Sequence, residues 1–81
     1  MTASSSETLV RMANQIADFF RIQPEGDAVA GTADHIRRFW DPRMRAKMSQ
    51  HLAHTGGTGL HPIALQAVQL VCKPAAAEPH A

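Results

Sequence analysis

The sequence FWDPRMR, residues 39–45, contains the strongest local folding signal in the chain. The Asp41 side chain can accept hydrogen bonds from backbone N–H groups two or three residues later, as helix-capping residues do. Pro42 suits the first position of a helix, where its missing N–H has no cost. The motif therefore predicts a helix that begins at Pro42 and continues to about His54.

Two further helices are predicted on the N-terminal side of this motif. The first follows the serines at positions 4–6, which are good helix caps, and runs to Phe20. The second runs from Glu25 or Asp27 to Phe39, with acidic residues at its start and arginines at its end, as the helix dipole favours. Apolar residues recur in both at steps of three and four. They are Leu9, Met12, Ala13, Ile16, Phe19 and Phe20 in the first helix, and Val29, Thr32 or Ala33, Ile36, Phe39 and Trp40 in the second.

A fourth, shorter helix is predicted after a glycine-rich segment. The glycines within residues 56–59 end the third helix, and His61-Pro62 resembles a second helix start. Apolar residues then continue at helical spacing to Val71 or Cys72, whereas no alternating strand pattern competes in the chain. We therefore predict an all-α fold, a small bundle of three to four short helices.

The length and composition indicate one small domain that benefits from a partner. The chain has 81 residues, a net charge of +1 and 44% hydrophobic residues, which is typical of a globular protein. We expect a flexible N-terminus over residues 1–6, a helical domain over 7–72 and a disordered tail over 73–81. Chains of this size bury only about 60% of the surface that the unfolded chain exposes, and they are marginally stable alone. An enzyme with an enclosed active site of its own is therefore not expected.

The first ten residues and the cysteine content indicate a cytoplasmic protein. Residues 1–10 lack the basic start and apolar core of a secretory signal, and no apolar stretch has the length of a membrane span. The single cysteine, Cys72, forbids an internal disulfide bond. We therefore expect a cytoplasmic location and no contact with a membrane.

The charges are distributed unevenly along the chain. Residues 1–34 contain two basic and five acidic side chains, a net charge of −3, whereas residues 35–47 contain five basic side chains and one acidic one, a net charge of +4. Three interpretations remain open: the arginines balance a helix end and are solvated, they pair with acidic groups of a protein partner, or they bind nucleic acid in a helix-turn-helix arrangement.

The aromatic residues form two adjacent pairs, each at a helix end. Neighbours on a helix point about 100° apart, so one ring of each pair can face the core while the other faces sideways. One interpretation places all rings in the core. The alternative is an exposed apolar patch made by one ring of each pair together with Met44 and Met48, a composition enriched at protein interfaces.

Other reactive side chains do not form a known catalytic or cofactor-binding motif. His51, His54, His61 and Cys72 match no closed zinc pattern, and we interpret them as surface histidines and a small buried hydrophobic residue. One cysteine cannot hold a four-thiolate iron–sulfur cluster, and there is no dinucleotide fingerprint. We expect no catalytic residue, no metal and no cofactor in this chain.

Three stretches resemble a known family. RMANQIADFF (residues 11–20), ADHIRRFWDPRMR (residues 33–45) and GGTGLHP (residues 56–62) are similar to the delta subunit of the soluble NAD-dependent formate dehydrogenases. The likeness covers roughly residues 9–72. His61 departs from the family pattern, where an acidic or polar cap is expected.

The resemblance implies a small non-catalytic accessory subunit of a cytoplasmic enzyme complex, associated with its assembly or activity. In that family the catalytic subunit carries a molybdenum or tungsten pterin cofactor and iron–sulfur clusters, and other subunits carry flavin and bind NAD. The implied partners are thus the catalytic subunit and the iron–sulfur and flavin subunits. The alternative is a small helix-turn-helix-like nucleic-acid-binding protein, and a third hypothesis is a free-standing metal or redox protein.

The candidate contact region lies around the FWDPRMR motif, within residues 36–48. Arginines there suit polar pairing with a partner, and the aromatic residues and methionine suit packing. The predicted partner-binding residues are Arg37, Arg38, Phe39, Trp40, Arg43, Met44 and Arg45.

Overall fold

The computed structural model describes residues 6–72, which form four helices and, within that range, no strand. Ser6 is the first described residue and is already helical. The predicted cap at Ser4 or Ser5, most of the expected flexible N-terminus and the expected tail over 73–81 lie outside the described residues. The all-α prediction is confirmed, with four helices. They are α1 (Ser6–Phe20), α2 (Glu25–Phe39), α3 (Pro42–Thr55) and α4 (Pro62–Val71).

The corner between α2 and α3 has the predicted geometry. The backbone N–H of Met44 donates to Asp41 Oδ1 at 2.9 Å, and Pro42 occupies the first turn of α3. On the other side of the corner, the backbone N–H of Trp40 donates to the carbonyl of Ile36 at 2.9 Å and completes α2. The cap satisfies a backbone donor that has no partner inside the helix.

The core lies between α1 and the other three helices. Helix α1 contacts each of them, and α2 packs most extensively against α4. Many of the core side chains are alanines, so the helix axes can approach closely. One cluster comprises Leu9, Ala13, Ala17, Ile36, Trp40, Met48, Leu52, Ala64, Val68 and Cys72, and a smaller one comprises Val29, Ala33 and Ala67.

The ring of Phe20 lies directly against the backbone of α2 at Gly31. A β-carbon on Gly31 would come within 2.7 Å of the ring. Glycine in the middle of a helix is unfavourable by about 1 kcal/mol relative to alanine, so its presence here requires a compensating reason. Close packing of the aromatic ring supplies that reason.

The segment between α3 and α4 is held in place by a side chain of α1. Gly56 ends α3 in the left-handed conformation with φ of 76°. Asn14 Nδ2 donates to the carbonyl of Gly59 at 3.0 Å, and Asn14 Oδ1 accepts from the backbone N–H of His61 at 2.9 Å. The His61 side chain makes no capping hydrogen bond, so Asn14 supplies the polar contact at this corner.

Replacing Asp41 by alanine should destabilise the fold by about 1 kcal/mol, because the Met44 N–H loses its acceptor. For a domain of this size, that loss lowers the midpoint of thermal unfolding by about 4–8 °C, measurable by circular dichroism. Asp41→Asn keeps an acceptor oxygen and should retain most of the stability. An unchanged midpoint for Asp41→Ala would contradict the role of this cap.

Gly31→Ala and Gly26→Ala should have opposite effects, although both change a glycine of α2. At Gly26 nothing lies within 4 Å of the new β-carbon, whereas at Gly31 the carbon collides with Phe20. We expect Gly26→Ala to stabilise the protein by about 0.4–1 kcal/mol, as unstrained Gly-to-Ala changes do. Gly31→Ala should lower the free energy of unfolding in urea titrations; equal gains for both variants would contradict the packing of Phe20 on Gly31.

Candidate protein-interaction surface

Phe39 and Trp40 are neighbours in the chain but lie in opposite environments. Trp40 is 4% exposed and belongs to the main core cluster, whereas Phe39 is 69% exposed. Because adjacent residues near a helix end point in different directions, the packing of Trp40 into the core places Phe39 outside it. One ring of this pair is therefore a surface feature.

The pair at the end of α1 is divided in the same way. Phe20 is half-buried against Gly31, and Phe19 is 74% exposed. The two rings meet edge to face, with their centroids 5.0 Å apart. This arrangement is favourable for aromatic pairs, and it holds Phe19 at the border of the core.

The two exposed rings border one groove of about 500 Å³ that α1, α2 and the start of α3 form together. Buried Trp40 contributes to its wall, and the polar side chains in it are those of Gln15 and His35. The lining comprises Met12, Gln15, Ile16, Phe19, Phe20, His35, Phe39, Trp40 and Met44.

His35 supports the exposed ring of Phe39. The imidazole and the phenyl ring are one helical turn apart on α2, with centroids 4.7 Å apart and planes tilted by 40°. Side chains at this spacing are neighbours on a helix. This contact places the Phe39 ring in the wall of the groove.

Two of the predicted arginines are already paired within α2. Arg38 Nε lies 3.0 Å from one carboxylate oxygen of Asp34, and Arg37 lies 3.9 Å from the other. All three side chains are about half exposed or more, so these ion pairs contribute little to stability. The pairing nevertheless neutralises part of the positive charge that the sequence places here.

The remaining cations of the basic segment divide between the surface and the core. Arg43 and Lys47 are exposed one turn apart on α3, and neither forms an ion pair with a residue in the range 6–72. Arg45 is half-buried, and its Nε is buried without a hydrogen-bond partner among these residues. Arg45 lies close enough to Cys72 to influence that thiol electrostatically. Among these three cations, Arg43 and Lys47 are therefore the ones that are both exposed to solvent and without an ion-pair partner in the range 6–72.

The structure brings together only part of the predicted partner-binding set. Phe39, Trp40 and Met44 line one groove, but Trp40 is buried and offers little area to a partner. The arginines do not line the groove within the described residues, and Arg45 is half-buried, with its Nε enclosed and Cys72 at the end of α4 nearby.

The apolar patch differs in membership from the one that the sequence indicated. Met48 is wrong as a member, because its side chain is fully buried. Met12, Ile16 and His35 were not assigned to it but line the groove. The sequence contained a signal for Met12 and Ile16, because these residues and Phe19 follow one edge of the α1 stripe at helical spacing.

The histidines of α3 have structural hydrogen bonds. His51 Nε2 donates to the carbonyl of Thr58 at 2.9 Å, and His54 Nδ1 donates to the carbonyl of Gln50 at 2.9 Å. Among residues 6–72, no three His, Cys, Asp or Glu side chains are grouped so that they could hold a metal ion. His51 instead helps to fix the segment between α3 and α4.

Burial dominates the environment of Cys72. It raises the pKa of the thiol from 9.0 to about 11, and the positive charge of Arg45 offsets that rise only in part. A protonated thiol is a poor nucleophile and a poor metal ligand. Cys72 therefore acts as a core residue at the end of α4, as its position in the sequence indicated.

Comparison with known proteins gives one match. A family model described as NADH-dependent formate dehydrogenase delta subunit FdsD matches residues 8–68, which is more than half of the chain. No curated protein and no solved structure matches the chain. Over the described part of the chain, none of the helices has the length and apolar character needed to cross a membrane.

The thiol of Cys72 should react slowly in the native protein. Because its pKa is about 11, the reactive thiolate is scarce at mildly alkaline pH. We expect alkylation by iodoacetamide, followed by mass spectrometry, to be at least about tenfold slower in native buffer than in denaturing urea. Equal alkylation rates in both buffers would contradict the burial.

The same thiol should make stability depend on alkaline pH. The contribution of the protonated Cys72 thiol to the free energy of unfolding should be fully present below pH 9.0 and should decrease as the pH rises towards about 11, because the unfolded chain loses this proton at a lower pH than the folded chain does. Cys72→Ala should reduce that alkaline loss in urea unfolding measurements.

Proposed function

Since this chain belongs to the FdsD family of NADH-dependent formate dehydrogenase delta subunits, we propose that it is a non-catalytic accessory subunit of such an enzyme. In this proposal it binds the catalytic subunit and the iron–sulfur and flavin subunits of a cytoplasmic molybdenum- or tungsten-containing complex. Its contacts support the assembly or the stability of the complete enzyme.

The observation that carries this proposal is the pair of exposed phenylalanine rings at the groove. Phe19 and Phe39 expose most of their surface although both belong to a small protein with few aromatic residues. Aromatic side chains in contact with water lose much of the free energy that burial would supply. A subunit partner that covers both rings recovers this free energy, and aromatic anchors of this kind dominate the energy of protein interfaces.

The chemistry of the groove favours binding over catalysis. Its lining is apolar apart from Gln15 and His35, and the His35 ring lies against that of Phe39. Nucleophilic catalysis needs a nucleophile beside a base that a third group orients. The apolar lining instead supports packing against another protein, as expected of an accessory subunit.

The nucleic-acid alternative gains no support. Phosphate binding needs several unpaired cations on one surface. Arg37 and Arg38 already pair with Asp34, and Arg45 is half-buried, so few free cations of the basic segment face solvent together. Arg43 and Lys47 are better suited to acidic side chains at the edge of a protein interface.

Pull-down of the formate dehydrogenase subunits by the tagged chain tests the proposal. The wild-type chain should retain the iron–sulfur subunits at moderate salt, and Arg43→Glu should weaken that retention several-fold, because the variant repels an acidic partner surface. Arg11→Glu makes the same charge change at an exposed position of α1 instead of α3 and serves as the matched control. Circular dichroism should show the wild-type fold in both variants.

Two outcomes would contradict the proposal. Failure of the wild-type chain to retain any formate dehydrogenase subunit would overturn the accessory role. Salt-dependent binding of duplex DNA together with such a failure would favour the nucleic-acid alternative. Unimpaired retention by Arg43→Glu would remove Arg43 from the interface but leave the accessory role in place.

A further inference from the structure

The groove has the length and wall arrangement of a site for a short helix. Its α1 wall runs from Met12 to Phe19, seven residues or about 10 Å along the helix axis, which is about two helical turns. Phe39 of α2 and Met44 of α3 also line the groove. A second helix lying along such a wall presents apolar side chains at positions i, i+3 or i+4, and i+7, so two or three of them reach the groove.

Backbone hydrogen bonding favours a helical occupant over an extended one. An extended segment needs partners for its N–H and C=O groups, which it finds at the free edge of a sheet. Residues 6–72 contain no strand, and the groove offers only Gln15 and His35 as polar side chains. Buried backbone groups without partners are costly, whereas a helix satisfies its own internally.

The charges beside the groove define the polar edge of the occupant. Met44 lies in the lining, and its neighbour Arg43 is exposed with Lys47 one turn further along α3. Neither cation has an ion-pair partner in the part of the chain that the structure describes. An arginine that borders an apolar site pairs well with a carboxylate, through two parallel hydrogen bonds. A second copy of this chain, docked symmetrically, would bring the same cations together instead.

We propose that the groove binds one amphipathic α-helix of a partner subunit, whose apolar face covers Phe19 and Phe39 and whose flank carries acidic residues towards Arg43 and Lys47. This inference rests on the proposed accessory function and specifies the chemistry of its contact. The ring of Phe39, which lies against His35, is the central anchor on this side of the interface.

Photo-crosslinking in the assembled complex tests where the groove is covered. The photoreactive residue p-benzoylphenylalanine replaces Phe39 in one sample and Leu70 in the other. Leu70 is an exposed apolar residue of α4 outside the groove lining and is therefore a matched control. We expect Phe39 to cross-link to one segment of a partner subunit with helical apolar spacing and acidic residues beside it, and Leu70 not to reach that segment.

A fluorescein-labelled peptide of the cross-linked segment then tests the mode of binding. The peptide should gain helical circular dichroism when it binds the full-length chain. Phe39→Ala should weaken binding by about 30-fold, as removal of an aromatic hot spot does, and Leu70→Ala by less than about twofold. Phe39 lies outside the core, so its truncation should leave the urea unfolding curve nearly unchanged.

The electrostatic part of the proposal is tested with a second matched pair of variants. Arg43→Gln and Gln69→Glu each change the net charge by one unit in the same direction, but Gln69 lies on the exposed side of α4. We expect Arg43→Gln to weaken peptide binding several-fold at low salt, with the difference reduced at high salt, and Gln69→Glu to have little effect.

Three results would overturn this inference. They are cross-linking of Phe39 to a strand or an irregular loop, cross-linking to a second copy of the chain, and assembly of the complex without any cross-link at Phe39. In each case retention of the formate dehydrogenase subunits by the wild-type chain would leave the accessory function intact. Loss of that retention would instead overturn the accessory function itself.

Discussion

The burial of the Trp40 side chain is the interaction on which the rest of this structure depends. Trp40 lies at the corner between α2 and α3 and belongs to a core cluster with members from all four helices. A chain of this size has few large apolar side chains, so one indole supplies a substantial share of its buried surface. The Asp41 cap and Pro42 follow immediately and start α3 at the residue where the indole enters the core. The same packing places Phe39 outside.

The alanines of the core explain why the remaining aromatic rings lie at the edge. Ala13, Ala17 and Ala64 are fully or nearly fully buried where the helices meet. Close packing of helices through small side chains leaves no room between them for a phenyl ring. Phe20 therefore lies on Gly31, where the missing β-carbon provides space, and Phe19 and Phe39 remain exposed around a common groove. The surface that suits a partner is thus a consequence of how the core is packed.

Much of this architecture could be predicted from the sequence, because its helix signals are local. The Asp41-Pro42 start, the stripe of α1 and the glycines after α3 gave the four helices to within a residue or two. Gly31, a glycine in the middle of a helix, marks the place where the Phe20 ring packs on α2. Asn14, in contrast, was an unremarkable polar residue of α1. Its two hydrogen bonds to the segment before α4 join residues more than 40 positions apart, and no local pattern reports such a contact.

The candidate surface was only partly predictable from the sequence. The sequence by itself determined that FWDPRMR forms a helix corner, with rings and cations concentrated there, because capping and charge depend on neighbouring residues. Only the tertiary structure decided that Trp40 and Met48 are buried, that Arg45 lies near Cys72, and that Phe19 and Phe39 border one groove. The reason is physical: burial and contacts between helices depend on which helix faces meet, and that is settled by the packing of all four helices together.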